Sequence, residues 1–199
     1  MLWGDSFAAH YAPGIAEEAQ RIDVNILQYT AAGCAPVFGY YSAQFPHCRE
    51  FNEKMSEVLR KYDIRTVVLV GRWESLFTRG VTPQSVGATV KRLNDSGVRT
   101  YVIGQSPVFN NVAQFLFAKQ LGKEGDARAA APLSFDRGIN SALEASLPLG
   151  VFIDPLRSMC EPQECDYRKD GQFLVIDAGH FSAYGSGLAV RSYFPFVTR

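Results

Sequence analysis

The sequence predicts a three-layer α/β/α domain built on a mainly parallel sheet. Three observations carry that prediction. Short β-type runs alternate with helical segments along the whole chain. One run, "RTVVLVG" from Arg65 to Gly71, is continuously apolar in its middle, which is how a strand covered on both faces reads. The 199 residues, 47% of them hydrophobic, suffice for one sizeable core and fall short of two independent ones. One domain over 1–199 is therefore expected.

Residues 1–4 read as the end of a buried strand, and Ala8 to Ile22 carries helix formers with Pro13-Gly14 as an early kink or break. Val24 to Tyr29 is a second strand. Thr30 to Cys48 is a loop rich in Gly, Pro and aromatics, long enough to be suspected of function. Phe51, Met55, Val58, Leu59 and Tyr62 then recur on one face of a helix. After the strand ending at Gly71, Thr82 as N-cap, Pro83 at the first helical position, the apolar stripe Val86, Val90 and Leu93, and Gly97 at the end delimit another helix. "VRTYVIG" is the next strand. Asn111 to Leu121 and Ser134 to Leu147 read as helices separated by small residues around Gly125 to Ala131. "GVFID" and "QFLVID" are late strands, and Ala183 to Tyr193 is a closing helix.

Charge excludes some functions. The 20 basic and 20 acidic residues are scattered and cancel, so the chain lacks the electrostatic footprint of a nucleic-acid binder. The longest apolar runs, such as Val67 to Val70, are far below the ~18 residues that span a bilayer. Four cysteines, Cys34, Cys48, Cys160 and Cys165, form two sequence-local couples in turn-rich stretches. They suit two disulfides, Cys34 to Cys48 and Cys160 to Cys165, with free thiols and a zinc site as alternatives. Disulfides imply an oxidising compartment, yet no secretory signal pattern opens the chain. The expectation is a C-terminal piece of a larger membrane-anchored protein whose preceding part supplies export.

In sheets of flavodoxin-like order, ligands sit beyond the carboxyl ends of the strands, beside strand one. Ser6 of "LWGDSFAAHY" stands there. A serine is a weak nucleophile unless a base lies within hydrogen-bond reach and a third group orients that base. Of the three histidines, His10, His47 and His180, the last sits in "DAGHFSAYG" with Asp177 three residues upstream. That spacing lets a carboxylate fold back onto one ring nitrogen while the other faces a nucleophile. An α/β-hydrolase elbow, by contrast, prefers G-x-S-x-G in mid-chain.

Gly4-Asp5-Ser6 and Asp177-Ala178-Gly179-His180 resemble the first and last blocks of the SGNH, or GDSL-type, hydrolase superfamily. More narrowly, "LWGDSFAAH", "GCAP", "HCREFN" and "VVLVGRWE" resemble the SGNH domain fused behind the membrane domain of acyltransferase-3 proteins, bacterial enzymes that O-acetylate cell-envelope polysaccharides. The resemblance runs in block order over essentially the whole chain. It implies the SGNH hydrolase fold, with Ser6 as nucleophile, His180 as base and Asp177 as its orienter, and with the N–H groups of Ser6 and Gly33 as oxyanion donors.

One block departs from the pattern. Where the superfamily has Gly-x-Asn, this chain has Gly71-Arg72-Trp73-Glu74. Arg72 is the candidate replacement donor, against the alternative of an ion pair with Glu74. Trp73 is a candidate substrate contact through its indole N–H or as a wall for the acyl group. His10, one helical turn after Ser6, is a second, with plain packing on its helix as the alternative. Asp5 is read as satisfying the turn, Ser182 and Ser186 as capping or facing the last helix, and His47 as a loop residue. Phe38, Tyr40, Tyr41 and Phe45 are either a sugar-stacking platform or glue for their loop.

The implied function is a serine-dependent O-acyltransferase domain moving an acetyl group onto a hydroxyl of a cell-envelope polysaccharide, such as lipopolysaccharide O-antigen, through an acyl-enzyme. A free carbohydrate esterase and a catalytically inactive glycan-binding domain are the alternatives. No cofactor or metal is expected in this domain; acetyl-CoA would serve the membrane part. Expected partners are the polysaccharide acceptor and an N-terminal transmembrane acyltransferase domain of the same parent chain, the domain itself being a monomer on the periplasmic side of the inner membrane.

Overall fold

A computed structural model describes residues 1–110, 130–160 and 164–193. The first half of the chain runs β1 (Leu2–Gly4), α1 (Ser6–Ala9), α2 (Ala12–Arg21), β2 (Gln28–Thr30), α3 (Cys48–Glu53), α4 (Met55–Lys61), β3 (Thr66–Val70), α5 (Trp73–Thr78), α6 (Pro83–Asp95) and β4 (Arg99–Ile103). The second half adds β5 (Ala130–Pro132), α7 (Gly138–Ala145), β6 (Phe152–Ile153), α8 (Leu156–Met159), β7 (Glu164–Asp166), β8 (Arg168–Lys169), β9 (Gln172–Phe173) and α9 (Ala183–Tyr193). The helix expected at Asn111 to Leu121 lies outside the described residues.

Five strands form the main sheet in the order β2-β1-β3-β4-β6, every neighbouring pair parallel. This is the three-layer α/β/α architecture that the alternation predicts. The apolar run of β3 shows why it needs two helical layers. Val68 and Val70 face a core shared with Phe7, Ile15 of α2 and Val190 of α9, while Val67 and Leu69 face a second core shared with Trp73, Val86, Val90 and Leu93. Residues of alternate parity go to opposite sides of a strand, so an unbroken apolar run requires both sides covered. Helix α9 crosses α2 closely at Gly14, whose N–H donates to Ser186 Oγ at 2.9 Å and where a Cβ would collide with the Ser186 carbonyl.

Helix α6 carries the expected punctuation. Thr82 Oγ1 accepts from Ser85 N–H while Ser85 Oγ accepts from Thr82 N–H, a reciprocal capping box with Pro83 just inside. Elsewhere the elements are shorter than expected. The helix at Ala8 to Ile22 is two helices, because Asp5 caps a single turn at Ser6 and Pro13 falls in the first turn of the next. The helix through Phe51 to Tyr62 is likewise divided at Lys54. The second strand starts at Gln28, leaving Val24 exposed.

The late strand "QFLVID" is corrected more substantially. Only Gln172 and Phe173 form a strand, which pairs antiparallel with Arg168–Lys169 in a hairpin outside the main sheet, and Val175 makes an isolated antiparallel bridge to Phe181. Asp170 and Gly171, with φ of 49° and 76°, make the tight turn that the right-handed twist of a two-residue hairpin favours. Leu174 and Val175 are buried against the first core, outside the main sheet.

Both expected disulfides are present, Cys34–Cys48 and Cys160–Cys165. Among the described residues no helix is long and apolar enough to cross a membrane.

Candidate active site

Parallel strands deliver their carboxyl ends to one edge of the sheet, and three loops meet there. The first follows β1. A Cβ on Gly4 would run into the Val70 carbonyl of β3, so glycine lets the two strands approach. Asp5 is buried, and its carboxylate accepts from Phe7 N–H at 2.8 Å and Arg72 N–H at 3.0 Å. It thereby caps α1 and ties the loop after β1 to the loop after β3. Burial pushes its pKa up, with the N–H bonds from Arg72 and Phe7 pulling the other way.

The second contribution comes from the loop before α9. Asp177 Oδ1 accepts from Gly179 N–H at 2.9 Å and His180 N–H at 2.8 Å, and Oδ2 lies 2.8 Å from His180 Nδ1. Burial on its own would raise the Asp177 pKa, but these N–H bonds and the imidazole outweigh it and hold the carboxyl below its ordinary value. His180 Nε2 in turn lies 2.9 Å from Ser6 Oγ. The loop is fixed further by Ile176 N–H donating to the His180 carbonyl at 2.8 Å and Phe109 N–H to the Ala178 carbonyl at 2.7 Å. A carboxylate on Nδ1 keeps the proton there, leaving Nε2 to accept from the serine hydroxyl, the tautomer that nucleophile activation requires.

The third contribution follows β2. Gly33 has φ of +74°, a region L side chains avoid, and a Cβ there would also meet the Phe45 ring at 2.7 Å. Arg79 Nη1 donates to the Gly33 carbonyl at 3.3 Å. Neither Ser6 N–H nor Gly33 N–H donates to another described group.

A cleft of about 320 Å³ opens beside His180, walled by Phe7, Arg72, Val108 and Asp177. A larger, mostly apolar hollow of about 460 Å³ lies among Leu2, Ile15 and Val68 at the amino ends of the strands. Its lining holds no nucleophile–base pair, whereas the smaller cleft borders the His180 ring that faces Ser6.

The remaining candidates separate clearly. Arg72 stands on the cleft wall with Nε on Glu74 Oε1 at 2.6 Å, and its two terminal nitrogens have no partner among the described residues. Trp73 is corrected: fully buried, it donates its indole N–H to the Ile103 carbonyl at 2.8 Å, because as the first residue of α5 it points into the layer between helix and sheet. His10 is also corrected as a direct substrate contact, since its ring is buried against Phe181 with Nδ1 accepting from Phe181 N–H.

Of the loop aromatics, Phe38 packs on Trp3 beneath Arg92, Phe45 packs on Gly33, and Tyr40 is buried; Tyr41 alone of the four is exposed. They are mainly glue. Ser182 Oγ accepts from Gly185 N–H in the first turn of α9, and Ser186 serves Gly14. His47 is exposed and precedes α3, and it comes within 4.8 Å of Cys34 and Cys48, whose sulfurs are bonded to each other.

Sequence reading missed Gln105 and Ser106. Both are fully buried after β4; Gln105 Oε1 accepts from Glu74 N–H at 2.9 Å, bracing the loop that replaces the asparagine block, and Ser106 Oγ meets Tyr11 Oη at 2.7 Å. The signal was a polar pair directly after a strand, at the edge where ligands bind.

In comparisons with known proteins, no curated protein matches by sequence. Among solved structures, the periplasmic domain of a lipopolysaccharide acetyltransferase from Salmonella ser. Paratyphi A is similar in fold, with a TM-score of 0.79 and 18% identity over 98% of this chain and 82% of that one. The family model of the SGNH domain fused to AT3 domains matches residues 1–194. The chain therefore belongs to the family of SGNH domains that are fused to AT3 domains.

Proposed function

We propose that this protein is a serine-dependent O-acyltransferase domain that moves an acetyl group onto a hydroxyl of a cell-envelope polysaccharide, lipopolysaccharide O-antigen or a similar glycan. The supporting observation is the relay from Ser6 Oγ through both nitrogens of His180 to Asp177, in a domain of a family fused to AT3 membrane domains.

Ser6 Oγ attacks the acyl carbonyl as its proton passes to His180 Nε2, and Asp177 stabilises the imidazolium. The N–H groups of Ser6 and Gly33 receive the oxyanion, and Arg72 supplies a further donor from its terminal nitrogens. His180 then protonates the leaving oxygen. In the second half, an acceptor hydroxyl gives its proton to His180 and attacks the Ser6 ester, and His180 returns the proton to Ser6 Oγ as it leaves, which restores the free serine and the neutral imidazole. These steps use no cofactor in this domain. The membrane part of the parent would deliver acetyl groups across the bilayer from acetyl-CoA, and the two disulfides suit a periplasmic setting.

The test is hydrolysis of a small acetyl ester, with water as the surrogate acceptor. Wild-type protein is expected to turn it over slowly and Ser6→Ala not at all; equal rates would refute the nucleophile. Exposure favours one second reading. The side chains of His180 and Asp177 are 30% and 54% exposed, so water can reach an acyl-enzyme and a carbohydrate esterase would use the same residues. Added polysaccharide that diverts acetyl from water to glycan supports the transferase; unchanged acetate release supports the esterase. A glycan-binding domain without activity predicts that a fluorophosphonate leaves Ser6 unlabelled.

A further inference from the structure

His10 occupies a position where an apolar side chain would be the simpler choice. Its ring packs between Phe7, Tyr11 and Phe181, with centroids 4.9, 4.6 and 4.4 Å away. Nδ1 accepts from Phe181 N–H at 3.3 Å, so the proton of the neutral ring is on Nε2. That Nε2 is buried and has no hydrogen-bond partner among the described residues. A buried unpaired donor costs about 1–3 kcal/mol, and a leucine or phenylalanine would fill the space without that cost.

What histidine supplies and those residues lack is an acceptor for one particular peptide. Phe181 N–H belongs to the peptide bond that follows His180, so its direction sets the backbone from which the His180 ring projects. His10 also ends the turn that begins at Ser6, its own N–H donating to the Ser6 carbonyl at 3.1 Å. One helical turn thus holds two consecutive residues of the opposing loop, Ser6 Oγ against the His180 ring and His10 Nδ1 against the Phe181 amide. The flanking peptides are held by Asp177, by the N–H groups of Ile176 and Phe109, and by the Leu174 carbonyl, which accepts from Ser182 N–H in the antiparallel bridge between Val175 and Phe181; the Phe181 N–H itself goes to His10.

We infer that His10 is a positioning residue: as a neutral, buried acceptor it fixes the Phe181 peptide and through it the distance between His180 Nε2 and Ser6 Oγ. The inference rests on the Ser6–His180 relay proposed above. Burial, with the His180 charge adding to it and Asp177 opposing, holds the His10 pKa well below its ordinary value, so the acceptor persists at neutral pH.

Two substitutions separate the acceptor from the ring. His10→Phe keeps the aromatic packing and removes the acceptor; His10→Asn places Oδ1 near the position of Nδ1. With a small acetyl ester, His10→Phe is expected to lower kcat by about 10- to 100-fold, the scale of a sub-ångström misplacement of reacting groups, with KM unchanged. His10→Asn is expected to recover most of that loss. The Phe181 amide is expected to exchange hydrogen faster in His10→Phe than in wild type and to regain protection in His10→Asn. A wild-type kcat in His10→Phe, or an Asn variant as slow as the Phe variant, overturns the inference. If His10→Phe does not fold, His10→Leu replaces it with the same expectations. Failure of the nucleophile reading is separable, because wild type would then leave Ser6 unlabelled by a fluorophosphonate while Phe181 exchange still reports on the tie; equal protection in wild type and His10→Phe overturns it.

Discussion

Asp177 uses its two oxygens for different jobs. One closes the turn by accepting from Gly179 and His180 N–H, and the other faces the His180 ring. Asp177→Asn is expected to keep the turn while favouring the wrong imidazole tautomer, with turnover of an acetyl ester falling by about 10⁴-fold. Gly33→Ala tests a backbone: the positive φ and the Phe45 ring both oppose a Cβ, so loss of activity and of thermal stability are expected together. Acid titration should reveal the shifted groups in sequence. His10 stays neutral when folded but takes a proton when unfolded, so stability is complete above the ordinary value of 6.5 and declines as pH falls below it. Asp177, held below 3.8, contributes stability that is present above that value and lost as pH falls through its lowered pKa. Asp5 acts in the opposite sense, since its raised pKa means the unfolded state ionises first. Urea unfolding of His10→Asn should accordingly show a flatter decline between about pH 6.5 and 5; an unchanged slope would count against a neutral buried histidine. At this scale Ser6, Asp177 and His180 were visible in the sequence because each belongs to a short local pattern. Trp73 was read as a substrate contact and Arg72 as an oxyanion donor, but neighbours in sequence point into different surroundings: Trp73 into the core, Arg72 onto the cleft wall.

Helix α6 shows how far an element can be read from its own residues. Thr82, Pro83 and the stripe Val86, Val90 and Leu93 are local signals, and the helix appears where they put it. Thr82→Ala removes an acceptor for Ser85 N–H and is expected to cost about 1 kcal/mol, measured as a lowered urea midpoint with acetyl-ester turnover unchanged. Helix α9 agrees with its expected bounds for a similar reason, with Ser182 accepting at its start. The hairpin at 168–173 resisted reading. "QFLVID" has strand composition, yet Leu174 and Val175 are apolar because α2 and α9 need a surface to pack on, not because a sheet continues. An apolar run reports burial, and what buries it is decided elsewhere in the chain.

Across the molecule, the loop from Thr30 to Cys48 connects the core to the site. Cys34 follows Gly33 directly, and its bond to Cys48 closes a loop of 14 residues. Replacing both cysteines by serine is expected to cost about 3 kcal/mol from the released loop entropy. Because the brace is anchored at Cys34, next to Gly33, acetyl-ester turnover should fall with it; a stable disulfide-free protein of full activity would show that the loop needs no brace. By itself, the sequence determined the alternation of strands and helices, the two disulfide couples and the short patterns that hold Ser6, Asp177 and His180, because each is written in local spacing and composition. Only the tertiary structure decided that Ser6 Oγ and His180 Nε2 lie 2.9 Å apart, that Trp73 serves the core and Arg72 the cleft, and that His10 holds the peptide after His180. Those are contacts between residues far apart in the chain, and their partners are chosen by the parallel sheet that gathers the loops after its strands at one edge.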